Sequence, residues 1–109
     1  MIDIVIVNWT SHGFLRKCVE SIFNSNQSDL ISNVIIIDNN STDDSLQMLP
    51  INAKIKVIKN TENVGFARAC NQGFKLSQSN YILLLNPDAV LLENTISESF
   101  DYMFFYETC

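Results

Sequence analysis

The feature that most constrains this fold is a regular alternation of short aliphatic runs with stretches of helical spacing. The runs are Ile2 to Val7, Val34 to Ile37, Ile55 to Ile58 and Tyr81 to Leu85, each followed by polar residues. Runs so short and so continuous in Ile, Val and Leu read as strands of a parallel sheet covered on both faces. The third, Ile55-Lys56-Val57-Ile58-Lys59, mixes lysine with its aliphatics, which predicts a place nearer a sheet edge.

Between the runs, Phe14, Leu15, Cys18, Val19, Ile22 and Phe23 recur at helical intervals and predict an amphipathic helix. A shorter helix is expected from Ser41 or Thr42, whose hydroxyls can cap free amides. Asp43 and Asp44 would favour the positive end of its dipole, and Pro50 follows its end. A third helix is expected from about Gly65 to Ser77, with Phe66, Cys70 and Phe74 inward and Arg68, Asn71, Gln72 and Lys75 outward. A fourth pattern, Ile96, Phe100, Met103 and Phe104, closes the chain. Each connection is long enough for the crossover that parallel neighbours require, so the expected class is α/β, a mainly parallel, doubly wound sheet with helices on both faces. With 109 residues, 47% of them hydrophobic, and no repeat or linker, residues 1–109 read as a single domain, expected to be incomplete.

The charge balance narrows the partners. Twelve acidic against seven basic residues give a net charge of -5, and no run of Lys or Arg forms a stripe that would track a phosphate backbone, so nucleic acid is not expected. Cys18, Cys70 and Cys109 form no C-x-x-C pair and are odd in number, which implies neither a disulfide framework nor a zinc knuckle and suits a reducing cytoplasm. The start "MIDIVIVNW" lacks the basic segment of a secretory signal, and no apolar stretch approaches the roughly 20 residues of a membrane span. Peripheral attachment to a membrane stays open.

In an open parallel sheet the strands all end on one rim, and ligands bind in the crevice outside it. Here every strand runs into amides or carboxylates: Asn8-Trp9-Thr10, Asp38-Asn39-Asn40-Ser41, Asn60-Thr61-Glu62-Asn63 and Asn86-Pro87-Asp88. Turn and cap chemistry accounts for Ser41, Thr42, Asp43 and Pro87. Asp38 directly follows an aliphatic run, so it should sit at the rim with little water, able to accept hydrogen bonds from a ligand N–H. Asp88 offers a hard oxygen that can hold magnesium or manganese bound also to phosphate. Gly65 opens a helix whose amides, unscreened by a side chain, can receive an anion. Arg68 one turn on reads equally as a crevice residue or a solvated one, and Asn71 leans only weakly towards the site. Trp9 can stack on a base or a sugar. Lone His12 has no matched nucleophile and is read as an ordinary surface residue. "NVGFARACNQG" matches neither the dinucleotide fingerprint nor the phosphate loop.

Taken together, "VIVNW" at 5–9, "VIIIDNNSTDDS" at 34–45, "NVGFARACNQG" at 63–73 and "YILLLNPD" at 81–88 resemble the family 2 glycosyltransferases in order and spacing, over about residues 2–92. The Asn-Val-Gly-Phe-Ala and Leu-Asn-Pro-Asp forms are most similar to bacterial rhamnosyltransferase-like members that assemble surface polysaccharides. The resemblance implies the GT-A fold, a Rossmann-like sheet binding a nucleoside diphosphate sugar of UDP or dTDP type and passing the sugar, with inversion, to a saccharide or lipid-linked acceptor. It implies that Asp38 holds the base, that Asn8, Trp9 and Asn40 lie beside the nucleotide, and that Asn63, Gly65, Arg68 and Asn71 border base, ribose or diphosphate. Asn86 and Asp88 occupy the two ends of the family's Asp-x-Asp motif, with Asp88 the metal ligand for Mg²⁺ or Mn²⁺.

Two departures stand out. Asn86 is neutral, leaving the metal one carboxylate fewer, and the family's catalytic base, a carboxylate in the acceptor-binding half, is expected downstream of Cys109; Asp101 and Glu107 are read as solvent-facing. The chain alone is therefore expected to bind a donor and turn over poorly. Two other readings remain: a receiver-like module phosphorylated on Asp38, which lacks the acidic pair that should follow strand one, and a non-catalytic assembly domain that self-associates through Phe100, Met103, Phe104 and Phe105.

Overall fold

The computed structural model describes residues 1–25 and 28–90. The elements are β1 (Ile2–Asn8), α1 (Gly13–Asn24), a 3-10 turn (Ser28–Leu30), β2 (Ile31–Asp38), β3 (Ile55–Lys59), α2 (Phe66–Leu76) and β4 (Tyr81–Leu85). The strands form one sheet in the order β3-β2-β1-β4. Every pairing is parallel: Asn8 stands beside Asp38, Ile6 beside Leu85, and Asp38 beside Lys59.

Strand alternation divides the aliphatics between two cores. Ile2, Ile4 and Ile6 of β1 and Val34 and Ile36 of β2 pack against Leu15, Cys18, Val19 and Ile22 of α1. Val5 and Val7, with Ile35 and Ile37, pack on the opposite face against Ala69 and Cys70 of α2. One helix thus covers each face, and all of β1 is buried, as its unbroken aliphatic run requires. At Gly73 the packing is close enough that a Cβ would lie 2.5 Å from Val5 Cγ1. Asp3, also buried, is a structural carboxylate at the N-terminal ends of the strands: its Oδ2 accepts from Ser77 Oγ at 2.6 Å. β3 takes the edge position expected from its lysines.

The segment from Ser41 to Pro50 corrects one expectation. It forms turns, not a helix, while Leu46 and Leu49 pack on the α1 core. The side chains expected to cap helical amides are committed elsewhere: Ser41 and Asp43 bond to the loop after β1, and Ser45 Oγ donates to Asp43 Oδ1 at 2.7 Å. A second correction concerns Phe14 and Phe66, which are 56% and 55% exposed instead of facing inward. Each lies in the first turn of a helix that returns antiparallel to its strand, so it overhangs the rim where no sheet lies beneath. The fourth helical pattern and the C-terminal aromatics fall outside the described residues.

Chain order and strand order together locate a crevice. The chain moves outward from β1 to β2 to β3 with α1 on one face. It then crosses by α2 on the other face to β4, on the far side of β1. The winding reverses between β1 and β4, the switch point outside which open α/β sheets bind ligands.

Candidate functional site

Beyond the C-terminal ends of β1 and β2, on the α1 side, Asn8 and Asp38 form a buried pair, with Asn8 Nδ2 donating to Asp38 Oδ1 at 2.9 Å. The same amide donates to Ser45 Oγ at 3.0 Å and lies 3.3 Å from Ser41 Oγ, and its carbonyl accepts from Ser11 Oγ. Asp38 accepts twice more, from Ser41 Oγ at 2.6 Å on Oδ1 and from Ser41 N–H at 3.0 Å on Oδ2. A carboxylate offers about four lone-pair directions, so Oδ2 keeps one for an external donor.

The loop after β1 is clamped onto this pair. Thr10 N–H donates to Ser41 Oγ at 2.8 Å, and His12 N–H to Asp43 Oδ2 at 2.8 Å. The hydrogen bond from Ser45 holds the Asp43 carboxyl below the usual range, with the His12 amide and the Ser45 amide adding to the effect and partial burial opposing it. His12, expected only on the surface, has a mostly exposed ring whose Nδ1 lies 3.4 Å from Asp43 Oδ2, while its backbone N–H makes the clamp. Thr10, His12 and Asn40 have φ of 49°, 55° and 63°, and Gly65 has φ of 88°. Among the described residues all the left-handed backbone therefore lies on this one rim, and for β-branched Thr10 the conformation is strained. The buried Thr10 hydroxyl has no partner among the described residues. Trp9 is 60% exposed beside it.

On the α2 side the organising residue is Asn39, which the sequence reading passed over. It is buried; its Oδ1 accepts from Asn60 Nδ2 at 3.0 Å and Val64 N–H at 3.4 Å, and its Nδ2 donates to Gly65 O at 3.3 Å. Asn60 and Gln72 exchange two hydrogen bonds of 2.8 Å, tying the end of β3 to α2. The signal was available, since strand alternation puts Asn39 on the face opposite Asp38. Asn63 bends the chain into α2 by accepting from Gly65 N–H at 2.9 Å. A Cβ at Gly65 would meet nothing within 4 Å, so its backbone angle, not crowding, calls for glycine there. Arg68 and Asn71 are exposed and line an open hollow of about 300 Å³ along α2 with Val64, Gln72 and Lys75.

At β4 the strand stops in a turn closed by Ala89 N–H donating to Asn86 O at 3.0 Å, with Pro87 at its second position. The same carbonyl lies 3.7 Å from Cys18 Sγ of α1. Burial, and behind it the negative charge of Asp88, push the Cys18 thiol up to about 11. Asn86 and Asp88 are exposed. Asp88 and Asp38 thus occupy the same rim with β1 between their strands, about 10 Å apart in strand spacing. Among the described residues no three His, Cys, Asp or Glu converge as a complete metal cage. Asp88 is a single exposed hard carboxylate, which suits a cation whose remaining ligands come from a bound phosphate and water.

The chain is 25% identical over 100 residues to the glycosyltransferase GlyG of Streptococcus pneumoniae, an alignment taking in 88% of this chain and 33% of that protein. It is 22% identical over 107 residues to an uncharacterised glycosyltransferase of Haemophilus influenzae, covering 94% and 32%. The chain spans about a third of the length of these curated relatives. Among solved structures, S. aureus TarS 1–349 in complex with UDP-GlcNAc matches with a TM-score of 0.78 at 17% identity, covering 93% of this chain and 30% of that one. The mannosyltransferase PcManGT of Pyrobaculum calidifontis, in complex with GDP-Man and Mn²⁺, matches with a TM-score of 0.81 at 15% identity, covering 93% and 31%. These likenesses establish the GT-A, Rossmann-like fold. The model of one family, glycosyl transferase family 2, matches residues 3–108, nearly the whole sequence and all four strand ends of the rim, and the chain belongs to that family.

Proposed function

We propose that this chain is the donor-binding half of an inverting glycosyltransferase that takes a sugar from a UDP- or dTDP-sugar and delivers it to a saccharide or lipid-linked acceptor in cell-surface polysaccharide synthesis, with a rhamnosyltransferase-like donor preference. The observation that carries the reading is the meeting of Asn8, Asp38 and the Asn86–Asp88 turn around the switch point between β1 and β4. Family membership sets aside the receiver-like alternative.

In this reading the spare lone pair of Asp38 Oδ2 accepts the imide N–H that uracil and thymine share, and Asn8 fixes the carboxylate for that contact. Trp9 supplies an exposed flat face beside it. Asn40, Asn63, Gly65, Arg68 and Asn71 border the nucleotide from the α2 side, with the N-terminal end of α2 favouring the diphosphate. Asp88, with Asn86 as a neutral neighbour, would hold Mg²⁺ or Mn²⁺; when bound, the ion stabilises the negative charge that grows on the departing diphosphate. The complexes of TarS with UDP-GlcNAc and of PcManGT with GDP-Man support a nucleotide-sugar donor, and the Mn²⁺ of the latter supports a divalent ion. None of the described residues is assigned as the catalytic base.

Calorimetry of the chain with a panel of UDP- and dTDP-sugars, with and without Mn²⁺, tests this. Binding that requires the ion and weakens in Asp38→Ala is expected. A folded sample that binds no member of the panel sinks the proposal.

A further inference from the structure

Basic residues are concentrated in one part of the sequence, and the fold brings three of them to one flank. Residues 54–75 carry Lys54, Lys56, Lys59, Arg68 and Lys75, five of the chain's seven basic residues, against one acid, Glu62. Lys54 immediately precedes β3, the sheet edge farthest from β4, Lys56 lies on the α2 face of that strand, and Lys75 lies near the end of α2; Lys59 alternates to the α1 face. Lys56 lines a hollow of about 300 Å³ between these elements with Ile35, Ile58, Asn33 and Leu76. Lys75 and Arg68 line the second hollow, further along the same helix. Among the described residues none of the five makes an ion pair. The rest of the sequence carries eleven acidic residues against two basic ones, Arg16 and Lys17, so this stretch is positive within a negative chain.

Apolar side chains are interleaved with the charges. Ile51, just before Lys54, is wholly exposed, and Leu76, next to Lys75 and beside Lys56 in the same hollow, is half exposed. A soluble polyanion has no use for these side chains, whereas a bilayer with anionic headgroups uses both parts: the cations lie at the phosphate level and the aliphatics reach the acyl boundary. We propose that the β3–α2 flank docks on an anionic lipid bilayer. The docking patch is Lys54, Lys56 and Lys75 with Ile51 and Leu76; it excludes Arg68, at the rim end of α2, and does not rest on the donor site at the strand ends.

The test is sedimentation of the 109-residue chain with vesicles of phosphatidylcholine containing 30% phosphatidylglycerol, with pure phosphatidylcholine alongside. Binding to the anionic vesicles alone is expected, with release in about 0.5 M salt as the charges are screened. Lys54→Gln, Lys56→Gln and Lys75→Gln together should lower the partition coefficient about a hundredfold, from roughly 1 kcal/mol for each cation near the surface. Ile51→Ser with Leu76→Ser should lower it about tenfold. Circular dichroism melting confirms that each variant is folded. No binding to anionic vesicles, or binding untouched by the lysine changes, overturns the proposal. So does equal binding to soluble polyphosphate or DNA with no effect of the serine changes, which would make the flank a polyanion site.

Discussion

Replacing Gly73 by alanine tests the packing that holds α2, and with it Gly65 and Arg68, against the sheet. The added Cβ would stand 2.5 Å from Val5 Cγ1 and 3.2 Å from Cγ2, on a side chain that is fully buried and has no room to swing away. Overpacking of this kind costs about 1–3 kcal/mol. Alanine in mid-helix returns about 1 kcal/mol over glycine. Gly73→Ala should therefore lower stability by about 1 kcal/mol, which for a domain of this size is a fall in Tm of about 4–8 °C. The sign should reverse when the obstruction is removed. In a Val5→Ala background, itself about 2 kcal/mol weaker from the lost methyl groups, Gly73→Ala should stabilise by about 1 kcal/mol. Urea unfolding of the four proteins gives the coupling directly. A Gly73→Ala effect equal in both backgrounds, or stabilising in the parent, refutes the reasoning.

Three further outcomes are expected. Asn8→Ala removes the amide that serves Asp38, Ser45 and Ser11 and leaves a buried carboxylate short of a donor, so urea unfolding should show a loss of about 2 kcal/mol. Asp88→Ala, at an exposed turn position, should leave the melting temperature within a degree or two while abolishing Mn²⁺-dependent donor binding in calorimetry. The Cys18 thiol ionises near 9.0 when unfolded and near 11 when folded, so its contribution to stability is full below pH 9 and is lost as pH rises towards 11; alkylation at pH 8.5, read by peptide mass, should be slow in native protein and fast in urea.

The strands were legible because a parallel sheet buried on both faces writes itself as unbroken Ile, Val and Leu, and β3 announced its edge position through Lys56 and Lys59. The rim was legible for a related reason: Asn8, Asp38 and Asn86 each mark where aliphatic sequence gives out. The segment after β2 was not legible, because Ser41, Asp43 and Ser45 carry the same chemistry whether they cap a helix or bond to a distant loop. Only the partners some 30 residues away, Asn8, Thr10 and His12, decide which. Phe14 and Phe66 were misread for a geometric reason, since helical periodicity reports the inward face but not where the sheet beneath it ends.

The central position of β1 also governs how the chain must assemble. Its partner on one side follows within 31 residues, but its partner on the other, Tyr81 to Leu85, is among the last described stretches to leave the ribosome. Until that stretch arrives, Ile2 to Ile6 present a bare row of amides and carbonyls on the most aliphatic segment of the protein, an invitation to pair with another nascent copy. A chain cut before Tyr81 should therefore be found in inclusion bodies, because half of its innermost strand would have nothing to bind.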